Sequence, residues 1–102
     1  MTNAHVQMEA LGDATRRAIL EHLLSGPMAV GQLAEQFPVS RPAISQHLAV
    51  LKRAHLVVDR PEGTRRVYQV NPKGIEALRA YFDRFWNQAL ASFKRVAEES
   101  SR

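Results

Sequence analysis

The spacing of apolar residues divides the chain into helical stretches and two short extended ones. Apolar residues that recur every three to four positions predict amphipathic helices, and β-rich runs on either side of a turn predict a hairpin. The helices are predicted over residues 1–12, 13–24, 32–37, 40–54 and 72–99, and Asp13 is the predicted N-cap of the second. The strands are predicted over Leu56–Arg60 and Arg65–Val70, with Gly63 in the turn between them. This pattern predicts a mainly α single domain over residues 1–102, with five helices and a small β-hairpin before the last helix.

Residues 30–54 carry the pattern of two short helices joined by a tight turn. Gln32–Phe37 is amphipathic, and Pro38 ends it because proline lacks an N–H and disfavours a helical conformation in the residue before it. Ser40 provides an N-cap oxygen for the second helix, and Pro42 lies in its first turn, where a missing N–H costs little. Two helices arranged in this way are typical of a helix-turn-helix, whose second helix lies in the DNA major groove.

The second helix of this pair separates apolar from polar side chains. Ile44, Leu48 and Leu51 fall on one face, and small polar or basic side chains fall on the other. A surface helix with solvated polar residues is the plain alternative, and arginines in place of Glu/Lys pairs count against it. We predict that the outward face and its flank contact DNA bases through Arg41, Pro42, Ser45 and Gln46.

The positive charge of the chain is concentrated in residues 40–70. That segment has six basic and two acidic residues, and the remainder of the chain has eight of each, so the segment carries the whole net charge of +4. A basic surface around a reading helix is the footprint of phosphate contact, and a merely solvated run of charge is the alternative. The hairpin over 56–70 follows the helix directly, as a wing does, and has two arginines near its tip. The predicted contacts to the DNA backbone are Ser40, His47, Lys52, Arg53, Arg65 and Arg66.

The last predicted helix is long for a chain of this size. Asn71 provides its N-cap, Pro72 is its first residue, and nothing breaks it before about Glu99, which gives roughly 28 residues and about 42 Å. Its apolar stripe is wider than a domain of this size covers by itself, so we predict that it packs against its copy in a second chain. Docking within the chain or onto another protein is the alternative. The predicted dimer contacts on this helix are Leu78, Phe82, Phe85, Trp86, Leu90 and Phe93.

Composition and motifs exclude several classes of protein. The chain has no cysteine, which excludes disulfides and thiolate chemistry and suits the cytoplasm. Its start lacks the pattern of a signal peptide, and no apolar run approaches the length of a membrane span, so we expect a cytoplasmic protein that contacts no membrane. Catalysis is not expected, because the glycines are dispersed and Ser45 and His47 point about 160° apart on one helix.

Three segments resemble the ArsR/SmtB family of bacterial winged helix-turn-helix repressors: DATRRAILEHL at 13–23, LAEQFPVSRPAISQHLAVLKRAHLV at 33–57 and DRPEGTRRVYQV at 59–70. The family's Ser…Ser-x-His-Leu-x-x-Leu pattern in the recognition helix is matched by Ser40, Ser45, His47, Leu48 and Leu51. The resemblance implies a homodimer held by the first and last helices, residues 1–12 and 72–99, with Val6 in the interface. It also implies binding to an inverted-repeat operator and repression by occlusion of a promoter, often that of the repressor's own operon.

The metal sites of the family do not carry over to this chain. Founding members have a Cys-x-Cys pair where this chain has Ala29 and Gly31, and other members use ligands on the last helix, which has no histidine from Pro72 to Arg102. The chain therefore resembles a branch of the family without metal ligands, and we predict no cofactor and no response to metal. The resemblance does not specify an effector, for which a small molecule and a protein are the alternatives. The alternative function is a winged-helix protein-interaction module that uses the long helix and binds no operator, for which an acidic or neutral reading face would be expected.

Overall fold

The computed structural model of the protein describes residues 3–101, so Met1 and Thr2 of the predicted first helix lie outside the described part. The predicted order of five helices with a hairpin before the last of them is confirmed, and a further short strand precedes the third helix. In chain order the elements are α1 (Asn3–Ala10), α2 (Ala14–Leu23), β1 (Met28–Ala29), α3 (Val30–Gln36), α4 (Arg41–Arg53), β2 (Val57–Glu62), β3 (Arg65–Val70) and α5 (Pro72–Ser100).

Three of the helices begin at side-chain caps that the sequence predicts. An Asp13 carboxylate oxygen accepts the Arg16 N–H at 3.0 Å at the start of α2. The Ser40 hydroxyl accepts the Ala43 N–H at 3.2 Å at the start of α4, and Asn71 caps α5 in the same way. Each cap satisfies a backbone donor that has no partner inside its helix, which fixes where the helix begins.

The prediction for the first helix of the helix-turn-helix was wrong by two residues at its start and one at its end. It was placed over Gln32–Phe37, and α3 runs from Val30 to Gln36. The helix begins earlier because the Gln32 side-chain oxygen accepts the Ala29 N–H at 2.9 Å. In this contact the third residue of the helix reaches back to the residue before the helix and satisfies its backbone donor. It ends earlier because Phe37 is extended, with φ −127° and ψ 144°, as the residue before a proline prefers.

The hairpin is tighter than predicted and belongs to a three-stranded sheet in the order β1-β3-β2. Pairing runs from Val57 opposite Val70 to Glu62 opposite Arg65, so only two residues turn the chain. Gly63 closes this turn at a φ of +63°, a conformation that glycine adopts without a steric cost. Pro61 therefore lies in strand β2 and not in the turn, and it is tolerated there because β2 is an edge strand.

The core lies behind α4 and fixes which of its faces points outward. Ile44, Leu48 and Leu51 are fully buried, as their predicted position on the apolar face requires. They pack with buried side chains of α2, of α3 and of the segment that leads into β2, namely Ile19, Leu20, Leu23, Leu33, Leu56 and Val57. Packing on this side leaves the polar side of α4 facing solvent.

Helix α5 begins on the body of the domain and then extends away from it. Its first turns contact α1, where the buried Gln7 amide donates to the Gly74 carbonyl at 2.8 Å. From Phe82 to Ser101 every residue is exposed, and the longest dimension of the described chain is 68 Å against 26 Å and 25 Å across it. Although α5 is long, no helix within residues 3–101 is both long and apolar enough to cross a membrane.

Candidate nucleic-acid interface

The exposed face of α4 presents the four residues predicted to contact bases. Arg41, Pro42, Ser45 and Gln46 are all exposed, Pro42, Ser45 and Gln46 on the outward side of the helix and Arg41 on its flank. They occupy the first two turns of the helix, and residues 41–44 contain no acidic side chain. An N-terminal turn without carboxylates leaves the positive end of the helix dipole free to attract phosphate. The predicted geometry of this face is therefore present, whereas its contacts to bases stay a prediction.

A hollow of about 350 Å³ lies between the wing, α3 and the start of α4. It joins Arg41 of α4 to Arg65 and Arg66 of the wing, which are at least 24 positions further along the chain. The wall formed by α3 contributes Val30, Gly31, Gln32 and the acidic Glu35. Three arginines and one glutamate line this concavity, so basic residues outnumber acidic ones where the wing meets the start of α4.

Two acidic residues of the wing hold the basic residues around it. Asp59 accepts Lys52 Nζ at 2.8 Å on one carboxylate oxygen and lies 3.4 Å from Arg66 Nε on the other. Glu62 lies 3.0 Å from an Arg65 guanidinium nitrogen and 3.5 Å from one of Arg60. The Lys52 hydrogen bond is the main reason that the pKa of the Asp59 carboxyl is lowered, so Asp59 is ionised at neutral pH. From the sequence, Asp59 and Glu62 were counted only toward the net charge of residues 40–70, and their ion pairs were not predicted.

The other predicted backbone contacts occupy different positions on the surface. Ser40 is exposed, and its hydroxyl oxygen accepts the capping N–H, which leaves the hydroxyl proton free to donate. His47 is half-buried, and its Nδ1 lies 3.4 Å from Arg16 Nη1. The Arg16 Nε also donates to the Ala10 carbonyl at 2.6 Å, so Arg16 joins the end of α1 to α4. This contact favours a helix-positioning role for His47, and its contact to the DNA backbone stays a prediction.

Arg53 does not join the hollow beside the wing. It is exposed at the end of α4 and lines a separate hollow of about 310 Å³ on the α1 side, together with Val6, Glu9 and Arg16. The structure thus brings Arg41, Arg65 and Arg66 together and leaves Arg53 apart from them.

The residues predicted to form a dimer fall into two groups. Val6 and Leu78 are half-buried and already pack against the core of their own chain. The other five are exposed on one side of α5: Phe82, Phe85, Trp86, Leu90 and Phe93. Trp86 is 64% exposed and Phe93 is 73% exposed, which leaves an apolar surface of a kind that proteins usually cover.

The positions of the family's cysteines contain nothing that binds a metal in this chain. Ala29 lies in β1, and Gly31 lies in α3 beside the Arg41 guanidinium. Within residues 3–101, no three His, Cys, Asp or Glu side chains lie close enough together to hold a metal ion.

Comparisons with known proteins identify the class that this fold and surface define. A sequence model of the bacterial regulatory protein, arsR family, matches residues 13–58. The chain is 60% identical over 90 residues to the HTH-type transcriptional regulator Rv2034 of Mycobacterium tuberculosis, which covers 88% of this chain and 84% of that protein. It is 43% identical over 63 residues to the transcriptional repressor SdpR of Bacillus subtilis, which covers 62% of this chain and 70% of that protein. The crystal structure of a possible transcriptional regulator for arsenical resistance matches with a TM-score of 0.73 and 44% identity, covering 84% of this chain and 94% of that one.

The fold and the exposed reading face define a winged helix-turn-helix regulator that binds DNA. The chain belongs to the ArsR family of transcriptional regulators. The predicted family and the prediction that the protein is not an enzyme are both confirmed.

Proposed function

We propose that the protein is a homodimeric repressor that binds an inverted-repeat operator and does not respond to metal. The observation that carries this proposal is the shared surface of the exposed α4 face and the hollow where Arg41 meets Arg65 and Arg66. A two-fold dimer would present two copies of this surface, about 34 Å apart, to successive major grooves of one DNA duplex. Repression is supported by the relative SdpR, which is named a transcriptional repressor.

In the proposed complex, one set of residues contacts the bases and another set contacts the DNA backbone. Gln46 is exposed in the second turn of α4, and its amide can form two hydrogen bonds with an adenine. Arg41 can pair with a guanine in the same way, and each such pair is worth about 1–3 kcal/mol of discrimination. Ser40, Lys52, Arg65 and Arg66 hold phosphates and set the register of the protein on the duplex.

This division predicts different effects for two variants. Gln46→Ala should flatten the preference among operator variants by roughly 1–3 kcal/mol, because a base contact is lost. Arg65→Ala should weaken operator and scrambled DNA alike and lower the salt slope by about one, because one phosphate contact is lost. Both are measured by titration at several salt concentrations, with a duplex that the unmodified protein selects from a randomised library. If Gln46→Ala lowers the affinity for both duplexes equally while Arg65→Ala changes base preference, the assignment of Gln46 to bases and Arg65 to the DNA backbone is wrong.

The same selection tests the alternative function. A winged helix that serves only to bind another protein would enrich no sequence from the randomised library. Enrichment of a near-palindromic sequence by the unmodified protein is the result expected of an operator-binding dimer.

Metal independence makes a separate prediction. Zn²⁺ or Cd²⁺ at stoichiometric amounts should leave the affinity for the selected duplex unchanged, because Ala29 and Gly31 offer no thiolate and α5 no imidazole. The measurement is a fluorescence-anisotropy titration with and without metal, with a chelator-treated sample as control. Release of the DNA by one metal ion per protomer would contradict the proposal.

A further inference from the structure

Asp59 is the one residue of the described wing that joins it by ion pairs to the recognition helix α4. Its two carboxylate oxygens are divided between Lys52 of α4 and Arg66 of β3, at 2.8 Å and 3.4 Å. The carboxylate therefore sets the separation between one cation of the reading helix and one cation of the wing.

The burial of the three side chains shows which of them is the anchor. The Asp59 side chain is 10% exposed, whereas those of Lys52 and Arg66 are 55% and 53% exposed. An ammonium has three donors and a guanidinium has five, so one contact to Asp59 leaves most of their N–H groups free for phosphate oxygens. The carboxylate thus orients the two cations without using up their capacity to bind DNA.

We propose that Asp59 is a positioning residue that determines DNA specificity, because it fixes Lys52 and Arg66 in the register that operator phosphates require. The inference rests on the proposed function and adds to it a residue that touches no DNA. Nonspecific binding depends on generic attraction between cations and phosphates, and a carboxylate between the two cations weakens it. Operator DNA is held in one register, so its phosphates meet the fixed cations and its affinity is raised. Specificity is the difference between the binding free energies of operator and nonspecific DNA.

The chain offers a matched control at the tip of the wing. Glu62 also pairs with two basic residues, Arg60 and Arg65, but all three belong to the wing. Glu62→Gln and Asp59→Asn therefore remove the same charge and the same number of ion pairs. Each variant replaces one accepting oxygen with an NH₂ donor. Only Asp59→Asn removes an ion pair between the wing and α4, because only Asp59 pairs with a residue of α4.

The test compares affinities for a duplex selected by the unmodified protein and for a scrambled duplex, across several salt concentrations. Asp59→Asn should lower the ratio of the two affinities about tenfold or more, raise the affinity for scrambled DNA severalfold, and steepen the salt slope for scrambled DNA by about one. Glu62→Gln should raise the affinities for both duplexes by a similar factor and keep the ratio of the two affinities within about twofold. In a Lys52→Gln, Arg66→Gln background, Asp59→Asn should change the ratio less than threefold, because Asp59 then has no cation to position.

The outcomes separate this inference from the function on which it rests. If the unmodified protein selects no duplex, the proposed function fails. If it selects one and Asp59→Asn keeps the affinity ratio, or lowers both affinities equally, the positioning role alone fails. Thermal melting checks the fold of each variant, and Asp59→Ser replaces Asp59→Asn in the same measurements if the latter does not fold.

Discussion

Replacing Trp86 and Phe93 together by alanine is expected to convert a dimer at micromolar concentration into a monomer. Both side chains lie on the exposed apolar side of α5, and both are more than half exposed in a single chain. Burial of one large apolar side chain is worth roughly 1.5–3 kcal/mol, so four lost side chains in a two-fold dimer remove about 6–12 kcal/mol. A dissociation constant of 1 μM corresponds to about 8 kcal/mol, so a loss of this size abolishes assembly in that range.

Sedimentation equilibrium measures this effect directly. Gln88→Ala is the matched control, because Gln88 is exposed on the same helix but points about 160° away from Trp86. It should sediment as the unmodified protein does. Circular dichroism shows whether the double variant keeps its fold, which is expected because neither side chain packs in the core of its own chain. A stable monomer of the unmodified protein at micromolar concentration would contradict the dimer itself.

Loss of the dimer should also remove most of the affinity for the selected duplex. One protomer presents one recognition helix, so it contacts one half-site and loses the contribution of the second. The double variant should bind a single half-site and the full duplex with similar affinity. If the double variant instead lost as much affinity for the half-site as for the full duplex, relative to the unmodified protein, α5 would support the reading surface within the protomer.

Gly74→Ala is expected to destabilise the fold by about 3 kcal/mol, at the upper end of what overpacking usually costs. A Cβ at this position would lie 1.6 Å from the His55 carbonyl oxygen and 2.6 Å from the carbonyl carbon. Both atoms belong to the backbone, so no side-chain rotation relieves the overlap. The first turn of α5 must move away from the end of α4.

The contact is tight because α4 ends in a turn that places the His55 carbonyl beside α5. The His55 N–H bonds the Lys52 carbonyl and the Leu56 N–H bonds the Leu51 carbonyl, both at 3.0 Å. His55 adopts a left-handed φ of 61°, as the residue after a helix often does. The Asn71 N–H then bonds the Leu56 carbonyl at 2.9 Å, which brings the start of α5 against this turn.

Thermal unfolding provides the measurement, with Gly31→Ala as the matched control. Gly31 lies in α3, where a Cβ would meet only Arg41 side-chain atoms at 3.8–4.0 Å. The same substitution should therefore leave stability unchanged or raise it by up to about 1 kcal/mol, because alanine favours a helix. Gly74→Ala should lower the melting temperature by about 12 °C or more, at 4–8 °C per kcal/mol for a domain of this size. Equal melting temperatures for the two variants would show that α5 accommodates the extra atom.

The sequence by itself determined the elements and the outward face of the reading helix. Asp13, Ser40 and Asn71 cap the helices that they were predicted to cap, because an N-cap depends on a residue and its next three neighbours. The buried face of α4 also follows from the sequence, since the spacing of Ile44, Leu48 and Leu51 fixes it.

The tertiary structure alone decided how these elements meet. Strand β1 has two residues and exists because Met28 and Ala29 pair with Tyr68 and Val67, so no local pattern predicts it. The bridge from Asp59 to the recognition helix, the hollow shared by three arginines and the fit of Gly74 against His55 also join residues that are distant in sequence or divided between elements. Local propensity and periodicity report on neighbours along the chain, whereas these contacts depend on how the helices and the sheet pack around a common core.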